Sequence, residues 1–283
     1  MKILITGAGG MLGKALTSCL EAREHNVAGF PREALDVTNY NQVIEVMKAE
    51  KPELVIHAAA YTKVDQAESE PDLAYLINGY GSENLAVACN HQDIPMVYIS
   101  SDYVFDGEQN RPYHPWDQTR PLSVYGKTKL AGERAVQHHL NKFYIVRTSW
   151  LYGPNGRNFV DTIHQMAMDG KPLRVVSDQF GSPTCTLTLS ETVADLILSK
   201  RWGVYHATDG GVTNWFEFAQ AIVSDLKVSV QPIATKDMPR PATRPKYSVL
   251  DKTTLINTIE REVVPWNEAL KMYLSMKMQG AAR

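Results

Sequence analysis

The chain has 283 residues, close to two units at about 150 residues per domain, and a chain of that size builds a core without staples. Its net charge is −2 with acids and bases interspersed, which leaves no field to hold nucleic acid or an anionic membrane. Three cysteines (Cys19, Cys89, Cys185) have no C-x-x-C spacing, and the first apolar run stops at Gly7, so a reduced, soluble, cytoplasmic protein without signal peptide or membrane span is expected.

Short, nearly continuous apolar runs at 3–6, 27–30, 54–57, 96–100 and 143–147 alternate with helical spacing such as that at 11–24 and 40–50. That alternation predicts βαβ units wound into an open parallel sheet with helices on both faces, a Rossmann-like, doubly wound α/β domain over 1–150. Beyond 150, glycine and proline become more frequent. Helical patterns at 159–168, 189–199 and 215–226 predict a smaller, discontinuous C-terminal substrate lobe over 151–283. Strand-like pieces at 173–177 and 204–207 are expected to return to the main sheet. The stretch 232–245, with four prolines and Lys236, Arg240 and Arg244, reads as an ordered loop facing ligand or solvent.

Gly7, Gly10 and Gly13, with Gly9 beside them, follow the first strand run and open a helix, enclosing Met11 and Leu12. In this context glycines permit a tight turn and let backbone N–H groups approach a pyrophosphate, which the helix dipole favours. The pattern is G-x-x-G-x-x-G, since Leu12 stands where G-x-G-x-x-G would place its last glycine. The tip of the second strand carries no acid to bond a ribose 2′-hydroxyl. Arg32 is available there for a 2′-phosphate, with Glu33 next to it, so the cofactor reading is NADPH with NADH also accepted.

Tyr125 and Lys129 are spaced i, i+4 at the start of a helical pattern and share one face. A phenol works as an acid or base near neutrality when an ammonium stabilises its phenolate, and Lys129 can supply that charge. The same spacing also suits an ordinary surface pair. Ser101 ends the fourth strand run, where ligands sit in such sheets, and can donate to a carbonyl oxygen as charge develops or cap the next turn.

With these features the sequence resembles an extended short-chain dehydrogenase/reductase, and within that superfamily the dTDP-4-dehydrorhamnose reductase family. The resemblance is carried by HAAAYTKVDQAE at 57–68, SDYVF at 101–105, YGKTKLAGE at 125–133, RTSWLYG at 147–153 and DQFGSPT at 178–184. It implies NADPH-dependent reduction of the 4-keto group of dTDP-4-dehydro-L-rhamnose to dTDP-L-rhamnose for a surface polysaccharide. By the same resemblance Tyr125 protonates the sugar oxygen, Lys129 holds the nicotinamide ribose and lowers the Tyr125 pKa, and Ser101, a threonine in most relatives, polarises the carbonyl.

The resemblance also carries Asp36 and Val37 to the adenine side and Ala58, Ala59 and Ala60 to the backbone lining the cofactor. Val64, Asp102, Tyr103 and Trp150 map to the sugar region, and Asn158 and Arg244 to the dTDP part, a guanidinium suiting a diphosphate. Core packing is the alternative for Trp150 and Tyr103, and a solvated loop for Arg244. Some relatives are magnesium-bound dimers with an acidic ligand in the first helix. Here Ala15 stands there, so no metal is expected, while a homodimer stays open. Dehydratases of the same fold resemble Thr-Asp-Glu where this chain has Ser101, Asp102 and Tyr103, which argues against elimination. The competing readings are an epimerase or reductase of another nucleotide sugar, and a non-catalytic NADP-binding regulatory subunit such as the beta subunit of methionine adenosyltransferase, which resembles the same family.

Overall fold

The computed structural model describes residues 1–226 and 228–281, the last three of these as backbone only. In chain order the first part runs β1 (Lys2–Thr6), α1 (Met11–Ala22), β2 (Asn26–Phe30), α2 (Tyr40–Glu50), β3 (Leu54–His57), α3 (Val64–Ala67), α4 (Pro71–Tyr75), α5 (Gly81–His91), β4 (Met96–Ser101), α6 (Val124–His139) and β5 (Phe143–Thr148). It continues through β6 (Leu151–Tyr152), α7 (Phe159–Met168), β7 (Leu173–Val176), β8 (Phe180–Gly181), β9 (Thr184–Cys185), α8 (Thr186–Ser199) and β10 (Gly203–His206). The chain closes with β11 (Thr213–Asn214), α9 (Trp215–Ile222), β12 (Val230–Ile233), α10 (Thr253–Ile259) and α11 (Trp266–Ala281).

Six parallel strands form the central sheet in the order β10-β5-β4-β3-β1-β2. Side chains alternate across it as the pleat requires. Ile3 and Ile5 of β1 pack with Leu16 and Leu20 of α1 and Val193 and Leu196 of α8, while Leu4 joins Val43, Met47, Leu85 and Val136 on the opposite face. Every residue of β3 and β4 is buried, as expected of parallel strands covered on both sides. Among the described residues no helix is long and apolar enough to cross a membrane.

The second part has its own core, in which Tyr152, Ile163, Phe218, Leu270 and Tyr273 pack together. Of the two strands expected to return to the main sheet, only β10 does so, pairing with β5. The other, β7, pairs in parallel with β12 in a separate two-stranded sheet. Its residues alternate, with Leu173 and Val175 buried and Arg174 exposed, which suits a sheet with one wet face and not a doubly covered one. Its partner carries Pro232, which lacks an N–H and belongs on an edge. The proline-rich stretch therefore begins as a strand and a 3₁₀ turn at Thr235–Asp237 before it becomes irregular.

One feature has no counterpart in the sequence reading. Between α4 and α5 the chain forms one π-helical turn, Leu76–Tyr80, which carries the buried Asn78 inward. Helix α6 lies against this turn and against β4 so closely that a Cβ on Gly132 would sit 2.3 Å from Tyr98 Oη and 2.5 Å from the Asn78 carbonyl oxygen. Gly132→Ala is therefore expected to lose about 1–3 kcal/mol by forcing α6 outward, read as a lower urea midpoint at unchanged m-value. An unchanged midpoint would mean that the contact yields freely.

Candidate active site

Chain order reverses between β1 and β3: the chain leaves β1 for β2 on one side and returns past it to β3 on the other. Crevices of open α/β sheets lie at the carboxyl ends of the strands flanking such a point. A cleft of about 1140 Å³ opens there, lined from β1, β3, β4 and α6 and by the segment after β5.

At its β1 end, Gly7 has φ +69°, and a Cβ there would lie 2.6 Å from the backbone of Ala59, so the two loops at the switch point meet only because Gly7 has no side chain. Helix α1 begins at Gly10 with no side-chain cap, whereas α2, α6, α7 and α9 are capped by Asn39, Ser123, Asn158 and Asn214. The first N–H groups of α1 are thus left to a ligand, and the cradle of Gly7, Gly10, Met11, Leu12 and Gly13 fits a dinucleotide pyrophosphate. Ala58, Ala59 and Ala60 form the facing wall, and Arg32, Asp36 and Val37 line the far end. Arg32 is exposed on the rim, while the Asp36 carboxylate accepts from the N–H and hydroxyl of Thr38 at 3.0 and 2.8 Å.

At the β4 end the cleft brings together Ser101, Asp102, Tyr103, Tyr125, Lys129, Val64 and Trp150. Ser123 caps α6 by accepting the Gly126 N–H at 3.2 Å, which sets Tyr125 in the first turn and Lys129 one turn further on. Lys129 is 2 % exposed, with Nζ 4.1 Å from the centre of the Tyr98 ring. Burial pulls its ammonium down to about 7, against the charge of Glu133. Burial pushes the Tyr125 phenol up to about 12, opposed by the Ser101 hydroxyl and reinforced by Asp102. The expectation that Lys129 lowers the Tyr125 pKa is thus not what this ligand-free cleft presents, because desolvation dominates both groups. Trp150 has φ +49°, rare for a bulky side chain, and stacks on Trp215 with ring centres 3.7 Å apart.

Two expected contacts lie outside the cleft lining. The Asn158 side chain is spent on structure: Oδ1 accepts the Asp161 N–H at 3.0 Å, and Nδ2 donates to the Gly153 and Gly156 carbonyls at 2.9 and 3.1 Å. Arg244 is paired in bidentate fashion with Asp65, both contacts at 2.9 Å, and so ties the proline-rich loop to α3 instead of standing as an isolated loop charge. Ala15 is buried in α1. Among the described residues no cluster of three His, Cys, Asp or Glu side chains is placed to hold a metal ion.

Behind the site lies a polar layer that the motifs did not announce. Asn78 accepts the Tyr61 N–H at 2.8 Å and donates to Thr128 Oγ1 at 2.9 Å, pinning α6 to the π-helical turn. His57 bridges Thr6 and Ser82 at 2.7 and 3.1 Å, and burial, aided by the Lys129 charge, drops its pKa to about 3, so it stays neutral. Glu133, 1 % exposed, takes both Nε and Nη2 of Arg147, at 2.9 and 2.7 Å, together with the Ser100 hydroxyl. The one available sequence signal was the i, i+4 spacing of Lys129 and Glu133.

The family model described as the RmlD substrate binding domain matches residues 1–278. A dTDP-4-dehydrorhamnose reductase of Streptomyces griseus is 42 % identical over 259 residues, 88 % of this chain and 85 % of its own. A spore coat polysaccharide biosynthesis protein of Bacillus subtilis is 39 % identical over 96 % of both chains. The crystal structure of dTDP-4-dehydrorhamnose reductase from Bacillus anthracis in complex with NADP superposes with a TM-score of 0.95 at 42 % identity, covering 97 % of this chain and 99 % of that one. The glycine cradle, the Tyr125 and Lys129 pair and the full-length match together make this chain a member of the RmlD family, that of the dTDP-4-dehydrorhamnose reductases.

Proposed function

We propose that the protein reduces the 4-keto group of dTDP-4-dehydro-L-rhamnose with NADPH, yielding dTDP-L-rhamnose. The observation that carries the reading is one continuous cleft with an uncapped helix start and glycine cradle at one end and Ser101, Tyr125 and Lys129 at the other. NADPH, when bound, supplies a hydride to the carbonyl carbon. The chain's own contribution is a proton and a place to put charge. Reduction needs a protonated phenol, and Tyr125, held near 12, keeps its proton at neutral pH and gives it up to the more basic alkoxide oxygen. Ser101 lies where its hydroxyl can face the same oxygen, and Lys129 faces the ribose side. Val64, Asp102, Tyr103 and Trp150 line the sugar end, Arg32 suits the 2′-phosphate, and Asp36 and Val37 suit the adenosine.

The same reading makes the enzyme cytoplasmic, feeding a surface polysaccharide, with a dTDP-sugar and not nucleic acid or membrane as its partner. It accommodates a homodimer and a secondary use of NADH. A protein that only binds NADP for a regulatory purpose would leave NADPH unoxidised. The decisive assay is NADPH oxidation with dTDP-4-dehydro-L-rhamnose generated in a coupled reaction.

Tyr125→Phe is expected to lower kcat by about 10²–10⁴ while NADPH still binds, as titrated by cofactor fluorescence. Unchanged turnover would remove Tyr125 as the acid. For Lys129 the sign is worked from its folded pKa, which is depressed. Between about 7 and the unfolded value the unfolded chain binds the extra proton, so the penalty of burying the charge is largest at low pH and fades as pH rises. Lys129→Met should therefore unfold at higher urea than wild type at pH below 7, with the gap closing toward alkaline pH, while its turnover collapses. A lower midpoint throughout would show the ammonium to be well compensated. Arg32→Ala should raise KM for NADPH by roughly tenfold and leave KM for NADH unchanged. Equal effects on both cofactors would separate Arg32 from the 2′-phosphate.

A further inference from the structure

The Ser101 hydroxyl has one proton and two claims on it. In the structure it donates to Asp102 Oδ1 at 2.9 Å and accepts the Tyr103 N–H at 3.2 Å. A ketone oxygen in the cleft can only accept, so Ser101 can polarise it only when that proton turns away from Asp102. An ionised carboxylate keeps the serine proton, because it too can only accept. A protonated carboxyl can donate to Ser101 Oγ through the same contact and release the serine proton toward the cleft. Asp102 is 1 % exposed and lines the cleft, and its second oxygen, Oδ2, has no hydrogen-bond partner among the described residues. An unpartnered buried carboxylate oxygen is costly, which favours the protonated form.

Resting on the reductase reading above, we infer that Asp102 is a positioning residue whose protonation decides whether Ser101 donates to Asp102 or to the substrate carbonyl, the carboxylic acid being the form in which Ser101 assists reduction. Asp102 keeps its proton through the cycle, and the proton delivered to the sugar oxygen still comes from Tyr125.

The groups around Asp102 fit this role. Tyr125 faces it from α6 and Tyr103 adjoins it, and both phenols stay protonated. The buried Ser248 hydroxyl lies near enough to favour the charged form without bonding Oδ2. Arg244, beyond Tyr103, is taken up by Asp65. Burial raises the Asp102 carboxyl to about 6, against the Ser248 and Ser101 hydroxyls, which puts its titration within reach of an assay.

The test is the pH profile of kcat/KM for the sugar at saturating NADPH in wild type, Asp102→Asn and Ser101→Ala. Wild type should lose about tenfold per pH unit above the Asp102 titration. Asp102→Asn, whose amide N–H is a permanent donor to Ser101, should hold its acid-side kcat through that range. Ser101→Ala should lose about 10²–10³ in kcat at acid pH and show no such limb, because no serine proton remains to turn. Any limb from Lys129 stays in all three proteins. A limb that persists in either variant, or an Asp102→Asn variant changed only in KM, overturns the inference. So does a wild-type profile that is flat through this range while turnover proceeds. Absence of turnover in wild type at every pH overturns the reductase reading instead. NADPH fluorescence titration reports whether Asp102→Asn is folded, and Ser101→Ala decides the question if it is not.

Discussion

An ammonium taken out of water must find negative charge or polarizable surface nearby, and Lys129 is placed where few groups can provide either. The Tyr98 ring lies under its Nζ, and Glu133 follows one helical turn later. Glu133 cannot move toward Lys129, because Arg147 of β5 holds both of its oxygens and Ser100 of β4 donates to one of them. Arg147 in turn lies over the Phe105 ring and donates to the Pro115 carbonyl. A buried pair of this kind is weak evidence for stability. Its consequence is geometric: α6 is locked to two strands of the sheet at the level of the cleft floor, and Tyr125 and Lys129 cannot rotate independently of Ser101.

The other end of the cleft follows a different rule, close backbone approach. Gly7 lets the loop after β1 touch the loop after β3, and the uncapped start of α1 leaves donors pointing into the space between them. The two ends are joined by the sheet itself, since Thr6, His57 and Ser82 form a hydrogen-bonded chain from β1 through β3 to α5. His57 must be neutral to bridge two hydroxyls, and the nearby Lys129 charge helps to keep it so. The sugar end is braced by aromatic packing. Trp150 holds a left-handed backbone against Trp215, and Gly181 leaves room for its indole ring. Strain at a cleft-lining residue is the kind that surrounding structure must enforce.

Much of this was legible in the chain. The parallel strands announced themselves because burial on both faces demands unbroken apolar runs, and the glycine loop and the Tyr125 and Lys129 pair declared their chemistry by spacing. Strand β7 was misplaced because a short apolar run does not say which sheet it joins. The exposed Arg174 between Leu173 and Val175 was the clue to a sheet with a wet face. Asn158 and Arg244 were read by residue type, and type does not reveal a prior commitment: one caps α7 and the other holds Asp65. The π-helical turn escaped notice because a single extra residue in a helix leaves the hydrophobic period almost unchanged.

By itself the sequence determined which elements form and which side chains carry chemistry, because periodicity, turn residues and i, i+4 spacing are local properties of the chain. Only the tertiary structure decided the state of those side chains. Whether Lys129 is charged, whether Tyr125 holds its proton and where Ser101 aims its own depend on burial and on partners from β4, β5 and the π-helical turn. Desolvation and hydrogen-bond geometry are properties of three-dimensional neighbours, and no spacing along the chain encodes them.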